Sequence, residues 1–265
     1  MTLNDLSLLF TRAWQKVWNL NKLLIIFGVL VLSGLVCLFF QIAAHFTSPP
    51  FRYSLQVLPL FLAIGFLLAG GVYVLGEKEK KKSLLQTTYL SIPLLVTFLL
   101  LWVLLGFLVL LKSVPYVGKV LGVLLAFLPF LLNLATLLLF VGGLLALFFL
   151  TPKIAMGKKW EVQSLWEPIA RSPFIASLSL LIGIVPVWIA WEVLMGALKL
   201  TFQTYSFSES PLERLLQAFF TILPFSALLA PFVLFFFNFG QEVEEAVDHA
   251  APHREDSSPS DQESS

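Results

Sequence analysis

The chain is poor in the residues that usually carry chemistry. It has one cysteine and three histidines among 265 residues. The lone cysteine, Cys37, lies inside an apolar run, which excludes an internal disulfide framework and a thiolate metal site. His45, His249 and His253 are the whole imidazole inventory. The last two stand four apart, but Pro252 opposes the helix that would align them on a metal ion. No metal and no cofactor is expected. The sequence contains no phosphate-binding glycine loop, no zinc-protease helix and no nucleophile elbow. Charge is also scarce. Only 12% of the residues are charged, against about 25% in an ordinary soluble domain. The short basic loops lack the size and aromatic interleaving of a nucleic-acid surface, so a nucleic-acid partner is not expected.

What the chain has instead is apolar length. It is 58% hydrophobic, and its mean hydropathy is +0.89. The longest uncharged stretch runs from Val120 to Pro152. Read as one helix it would extend roughly 50 Å at about 1.5 Å per residue, whereas a hydrocarbon core is only about 30 Å thick. Pro129 divides it. Residues 116–128 then form a surface or re-entrant helix and Pro129–Leu150 the span; a single tilted helix kinked at Pro129 is the rival reading. In hydrocarbon every backbone donor and acceptor needs a partner within the protein, so only helices and closed barrels cross. Long continuous apolar runs, rather than short alternating ones, select helices.

These runs predict an all-α, polytopic bundle of about six spans over residues 1–239. The expected spans are Leu23–Ala44, Val57–Gly76, Pro93–Leu111, Pro129–Leu150, Pro173–Trp191 and Leu215–Phe239. Amphipathic surface helices are expected before spans 1, 3 and 5. In the first of them Leu3, Leu6, Phe10, Trp14, Val17 and Trp18 recur at helical spacing. That stripe is read as a helix lying along the cytoplasmic face at headgroup level, with packing on the bundle as the alternative. Residues 193–206 read as an outer loop or surface helix. Residues 240–265 hold eight acidic residues and one basic residue, Arg254. They are read as a disordered, acidic cytoplasmic tail, because so polar a segment buries too little to offset its ordering entropy.

Twelve of the 17 Lys and Arg residues fall on one side of this plan, including Lys80, Lys81 and Lys82 in the densest charge run. Positive residues stay inside, so both termini are expected in the cytoplasm and the protein in a bacterial-type inner membrane. Ser7-Leu8-Leu9, Ser83-Leu84-Leu85 and Ser164-Leu165-Trp166 stand at similar points of three surface-helix-plus-two-span units. Either a threefold repeat or chance in a leucine-rich chain accounts for them.

This plan, with Leu150-Thr151-Pro152-Lys153-Ile154-Ala155-Met156 closing a span, resembles a broad group of bacterial polytopic proteins. The group includes the membrane domains attached to some glycerophosphodiester phosphodiesterases. The resemblance covers residues 1–239 and implies a membrane bundle. It brings no catalytic motif and no phosphodiesterase barrel, so that activity is not implied.

Candidate functional residues are few. Asn133 sits four residues after Pro129, where its amide could satisfy a carbonyl that the proline frees. Glu192 stands beside Trp188 and Trp191 near the expected outer interface. Lys80, Lys81 and Lys82 are placed to contact anionic lipid headgroups. Glu167 and Arg171, one helical turn apart, read as a surface ion pair. Membrane lipids and other membrane proteins are the expected partners. The first functional expectation is a non-enzymatic scaffold or assembly factor with no turnover of its own. A transporter or channel for a small apolar or amphipathic solute is the second. An intramembrane lipid-modifying enzyme is the third.

Overall fold

Asn19 marks the point where the chain turns from the surface into its first long helix. Its backbone is extended (φ −90°, ψ 106°) and its side chain accepts from the Lys22 amide at 3.4 Å, an N-cap. The computed structural model describes residues 3–46, 49–76, 100, 128–157, 173–204 and 211–250. Among the described residues every element is helical and none is a strand. α1 spans Leu3–Gln15 and runs into a 3-10 turn, Lys16–Trp18. α2 is Leu20–His45 and α3 is Pro49–Leu75. α4 covers Leu128–Leu145, a π-helical turn Ala146–Leu150, and α5 Thr151–Ala155. α6 is Pro173–Thr204 and α7 is Pro211–Ala250.

Three helical stretches are long and apolar enough to cross a bilayer: Leu20–Ala44, Pro173–Leu200 and Leu216–Val247. Pro59–Leu75 and Phe140–Ala155 are shorter apolar helical stretches. The described residues are therefore helical, with apolar helices of membrane-crossing length, as composition led one to expect. Hydroxyls within these helices bond back to their own turn. Ser33 donates to the Val29 carbonyl at 2.8 Å, Ser179 to Ile175 at 2.8 Å, and Thr221 to Gln217 at 2.7 Å. Each polar group is thereby satisfied without a neighbour, as a lipid-facing or tightly packed helix requires.

Between helices, small residues set the approach. A Cβ added to Gly70 of α3 would stand 2.8 Å from Val29 of α2. One added to Gly143 of α4 would stand 2.8 Å from Ile64 of α3. One at Gly71 would meet Thr151 at 2.7 Å. Ile64 faces Gly143 and Gly71 faces Thr151, so α3 runs parallel to the α4–α5 segment. Close backbone approach of this kind replaces the hydrophobic effect as the source of cohesion in a membrane.

The centre of the bundle is the second half of α7. Its Phe235-Phe236-Phe237-Asn238-Phe239-Gly240 run is buried throughout. Phe235 meets α1, Phe236 and Phe239 meet Phe148 of the π-helical turn, and Phe237 meets Gly71 of α3. A helix that is apolar all round belongs where it has neighbours all round.

Several boundaries differ from the sequence reading. α1 packs on the bundle. Leu6, Leu9, Ala13 and Val17 are buried, and Trp14 lies against Phe232 and Phe235, while Trp18 stays 70% exposed. The segment 193–206 was expected as an outer loop or surface helix, but α6 continues to Thr204. No proline or turn pair interrupts Val193–Thr204. The disordered tail was expected from residue 240, but α7 continues to Ala250. Its acidic residues Glu242 and Glu244 are buried there because basic residues from other elements meet them. Residues 251–265 lie outside the described residues. So do most of 116–128, the third expected span, the surface helices expected before spans 3 and 5, and the Glu167–Arg171 pair.

Candidate functional site

One end of the bundle gathers polar groups inside an apolar frame. α1 and the 3-10 turn, the C-terminal ends of α3 and α7, the π-helical turn and α5 all meet there. Pro152 explains part of the local geometry. It has no N–H to give the Phe148 carbonyl one turn earlier, and its ring crowds that carbonyl. The chain widens into the π-helical turn just before it, and the Thr151 N–H bonds the Ala146 carbonyl, five residues back. The Thr151 hydroxyl also reaches Ala146 O, at 3.4 Å. Such turns re-aim the residues that follow and are frequent at functional sites. α5 ends at Ala155, and Gly157, with a φ of 78° and an N–H bond to Ile154 O at 3.0 Å, closes the turn that follows. A left-handed terminal residue of this kind favours glycine.

The widened turn is matched on α7 by Gly240. A Cβ there would lie 2.6 Å from the Phe148 carbonyl oxygen. This close approach carries Lys153 of α5 toward the end of α7. Lys153 is 6% exposed and Glu244 is 6% exposed, and their Nζ and Oε1 are 3.9 Å apart. On the other side of α7, two residues earlier, Lys16 donates to Glu242. Glu242 is 5% exposed, whereas the Lys16 side chain is 48% exposed, so this second pair lies at the rim. Removing one partner of a buried pair leaves an uncompensated charge and typically costs about 3–5 kcal/mol; an exposed pair is worth about 0–1 kcal/mol. The two pairs fix α5 and the α1 connector to α7.

Asn238 lies one turn before Glu242. It is 1% exposed, and neither Nδ2 nor Oδ1 has a hydrogen-bond partner. A buried amide left this way typically costs about 1–3 kcal/mol. The site can hold or exchange hydrogen bonds and charge at its rim, and among the described residues no cluster of His, Cys, Asp or Glu could hold a metal ion.

The residues singled out from sequence are placed elsewhere. Glu192 is exposed on α6, next to Trp191, whose ring packs edge-on to Phe225 at 5.1 Å. Asn133 stands in the second turn of α4, with its side chain outside the described residues. Lys80, Lys81 and Lys82 also lie outside them. The structure brings neither Glu192 nor Asn133 to the polar end. Of the residues that do meet there, Lys16 belongs to the first expected surface helix, and Glu242 and Glu244 to the expected acidic tail. The legible signal was Asn238, a lone amide inside a phenylalanine run.

No family model, curated protein or solved structure matches the chain.

Proposed function

We propose that the chain is a six-span protein of a bacterial-type inner membrane, with both termini cytoplasmic, that acts as a non-enzymatic scaffold or assembly factor for other membrane components. The observation that carries this reading is the use made of its buried charge. Lys153 with Glu244, and Lys16 with Glu242, tie helices to one another at one end of the bundle. Ion pairs spent on joining elements suit a rigid platform. Apolar faces of α2, α6 and α7 are left for lipid or other membrane proteins, with Leu24, Leu32, Trp188, Ile189, Phe220 and Leu228 exposed.

The parallel run of α3 and α4 supports the six-span count, because the chain has to recross the bilayer between them, and the apolar stretch Pro93–Leu111 is available to do so. The excess of Lys and Arg on one side supports the orientation. Both are tested together by replacing Cys37 with Ser and placing single cysteines at Lys81 or Ser208. An impermeant thiol reagent outside intact cells should label position 208 and spare 81; the opposite pattern rejects the orientation. The scaffold reading is tested by changing Lys80, Lys81 and Lys82 to Gln, then recovering the protein with native partners. Partner recovery should fall while insertion persists, and unchanged recovery counts against the reading. The transporter reading is favoured by the unpartnered Asn238 amide, since polar groups within spans often mark solute paths.

A further inference from the structure

The face of α7 that meets α1 carries a polar group with nothing to bond. Phe235, Asn238 and Glu242 follow at three- and four-residue spacing and share one helix face. Phe235 touches Phe10 and Trp14, at ring separations of 4.8 and 5.4 Å, and Glu242 accepts from Lys16. Asn238 therefore lies beneath the junction of α1 and the 3-10 turn. Both its amide atoms lack a partner. The side chains that α1 and the 3-10 turn bury, Leu6, Leu9, Ala13 and Val17, are apolar and offer none. The covering segment is also incompletely seated: Phe10 is 37% exposed, and the Lys16 side chain is about half exposed.

We propose that this face binds one phospholipid with a primary-ammonium headgroup, and that α1 is the strap lying over the site. The order of chemistry along α7 carries the assignment. Glu242, at the polar end, is an acceptor for a cation. Asn238, about 6 Å further toward the apolar end of α7 at 1.5 Å per residue, offers an amide donor and acceptor. Phe235 and Phe232 follow as an aromatic wall, with Trp14 against both. A phospholipid presents the same sequence from headgroup inward: ammonium, phosphate, glycerol esters, acyl chains. Lys16 is the internal stand-in, a primary ammonium already held by Glu242. When lipid enters, its ammonium replaces that of Lys16 on Glu242. An ester carbonyl accepts from Asn238, and the acyl chain lies along the phenylalanines. Arg12, exposed on α1 one turn before Lys16, is a second cation on the strap. A choline headgroup has no N–H to donate, and a glycerol headgroup has no cation, so neither reproduces the contact that Lys16 makes.

This site is independent of the scaffold reading, and its test uses the full chain in detergent. Phosphatidylethanolamine, phosphatidylcholine and phosphatidylglycerol of identical acyl chains are titrated in, and bound lipid is read by native mass spectrometry. Phosphatidylethanolamine should be held about tenfold more tightly than either other lipid, the order expected of one charge-assisted hydrogen bond. Glu242→Gln should abolish that preference. Lys16→Gln, which removes the internal competitor, should strengthen retention. Asn238→Leu should weaken retention several-fold and unfold no earlier on heating than the wild type. Equal retention of the three lipids by the wild type, or a preference for phosphatidylglycerol, overturns the proposal. So does an unchanged preference in both the Glu242 and Lys16 variants, or early unfolding of Asn238→Leu, which would place the amide in a structural role.

Discussion

At the scale of single residues, the sign of a glycine substitution depends on what the added methyl would meet. At Gly240 it would meet the Phe148 carbonyl oxygen at 2.6 Å, and Pro152 Cγ at 3.5 Å. A backbone oxygen in a packed helix cannot rotate away as a side-chain tip can. The helix propensity gained by alanine is about 1 kcal/mol, while overpacking a filled contact costs about 1–3 kcal/mol. The clash should win, so Gly240→Ala is expected to lower the melting temperature in detergent. Gly196 of α6 has nothing within 4 Å of its missing Cβ. There the propensity term acts alone, and Gly196→Ala should stabilise by about 0.5–1 kcal/mol. Thermal melts of the two variants beside the wild type check both signs, and the same sign for both would show that the close approach at Gly240 is not maintained. None of this was legible in the sequence, where Gly240 heads the expected acidic tail and Gly196 falls in the expected outer segment. Asn238 was half legible: its polarity amid phenylalanines is visible, but its burial beneath α1 depends on contacts more than 200 residues away along the chain, like the Lys16–Glu242 bond.

At the scale of elements, the stripe on α1 was readable as a helix and ambiguous as to what it covers. A headgroup-lying helix and a bundle-packed helix have the same apolar period. The deciding contacts are aromatic: Trp14 lies 6.0 Å from Phe232 and 5.4 Å from Phe235, both on α7. Sequence patterning cannot report a partner contributed by the far end of the chain. The π-helical turn is similar. Pro152 was visible, but that the chain would absorb it by widening rather than kinking follows from the fit of Gly240 against Phe148. Aromatic pairs contribute about 0.5–1.5 kcal/mol each beyond their buried area. Trp14→Ala removes two such pairs and opens the α1–α7 seam, so it should release α1 without unfolding the spans. Hydrogen exchange should rise about tenfold or more across Leu3–Gln15, the response to losing roughly 1.4 kcal/mol of local stability, while α2 and α6 keep their protection. Faster exchange spread evenly over the bundle would mean that α1 is integral to the fold.

At the scale of the whole molecule, hydropathy made the class legible, and the long apolar helices stand close to where the runs placed them. The bilayer explains this: a span is specified by length and composition, which are local properties. The end of the bundle was misread for the opposite reason. Residues 240–250 are acidic enough to look solvated, yet α7 carries them into the bundle, where Lys16 and Lys153 receive Glu242 and Glu244. Charge that is unfavourable to bury alone becomes admissible when a partner is buried with it. Two truncations separate these contributions. Ending the chain after Ala250 removes residues 251–265, a segment whose composition buries little apolar area, and should leave the melting temperature in detergent nearly unchanged. Ending it after Gly240 removes Glu242 and Glu244, strands Lys153 at 6% exposure without that partner, and deletes the buried Val243. Loss of a buried partner alone is worth about 3–5 kcal/mol, a large fraction of the 5–15 kcal/mol that holds a typical domain folded. The shorter chain should therefore insert but yield little folded protein on size-exclusion chromatography. If both truncations gave equal yields and equal melting temperatures, the acidic end of α7 would be dispensable, and the ion pairs at that end would not hold the bundle together.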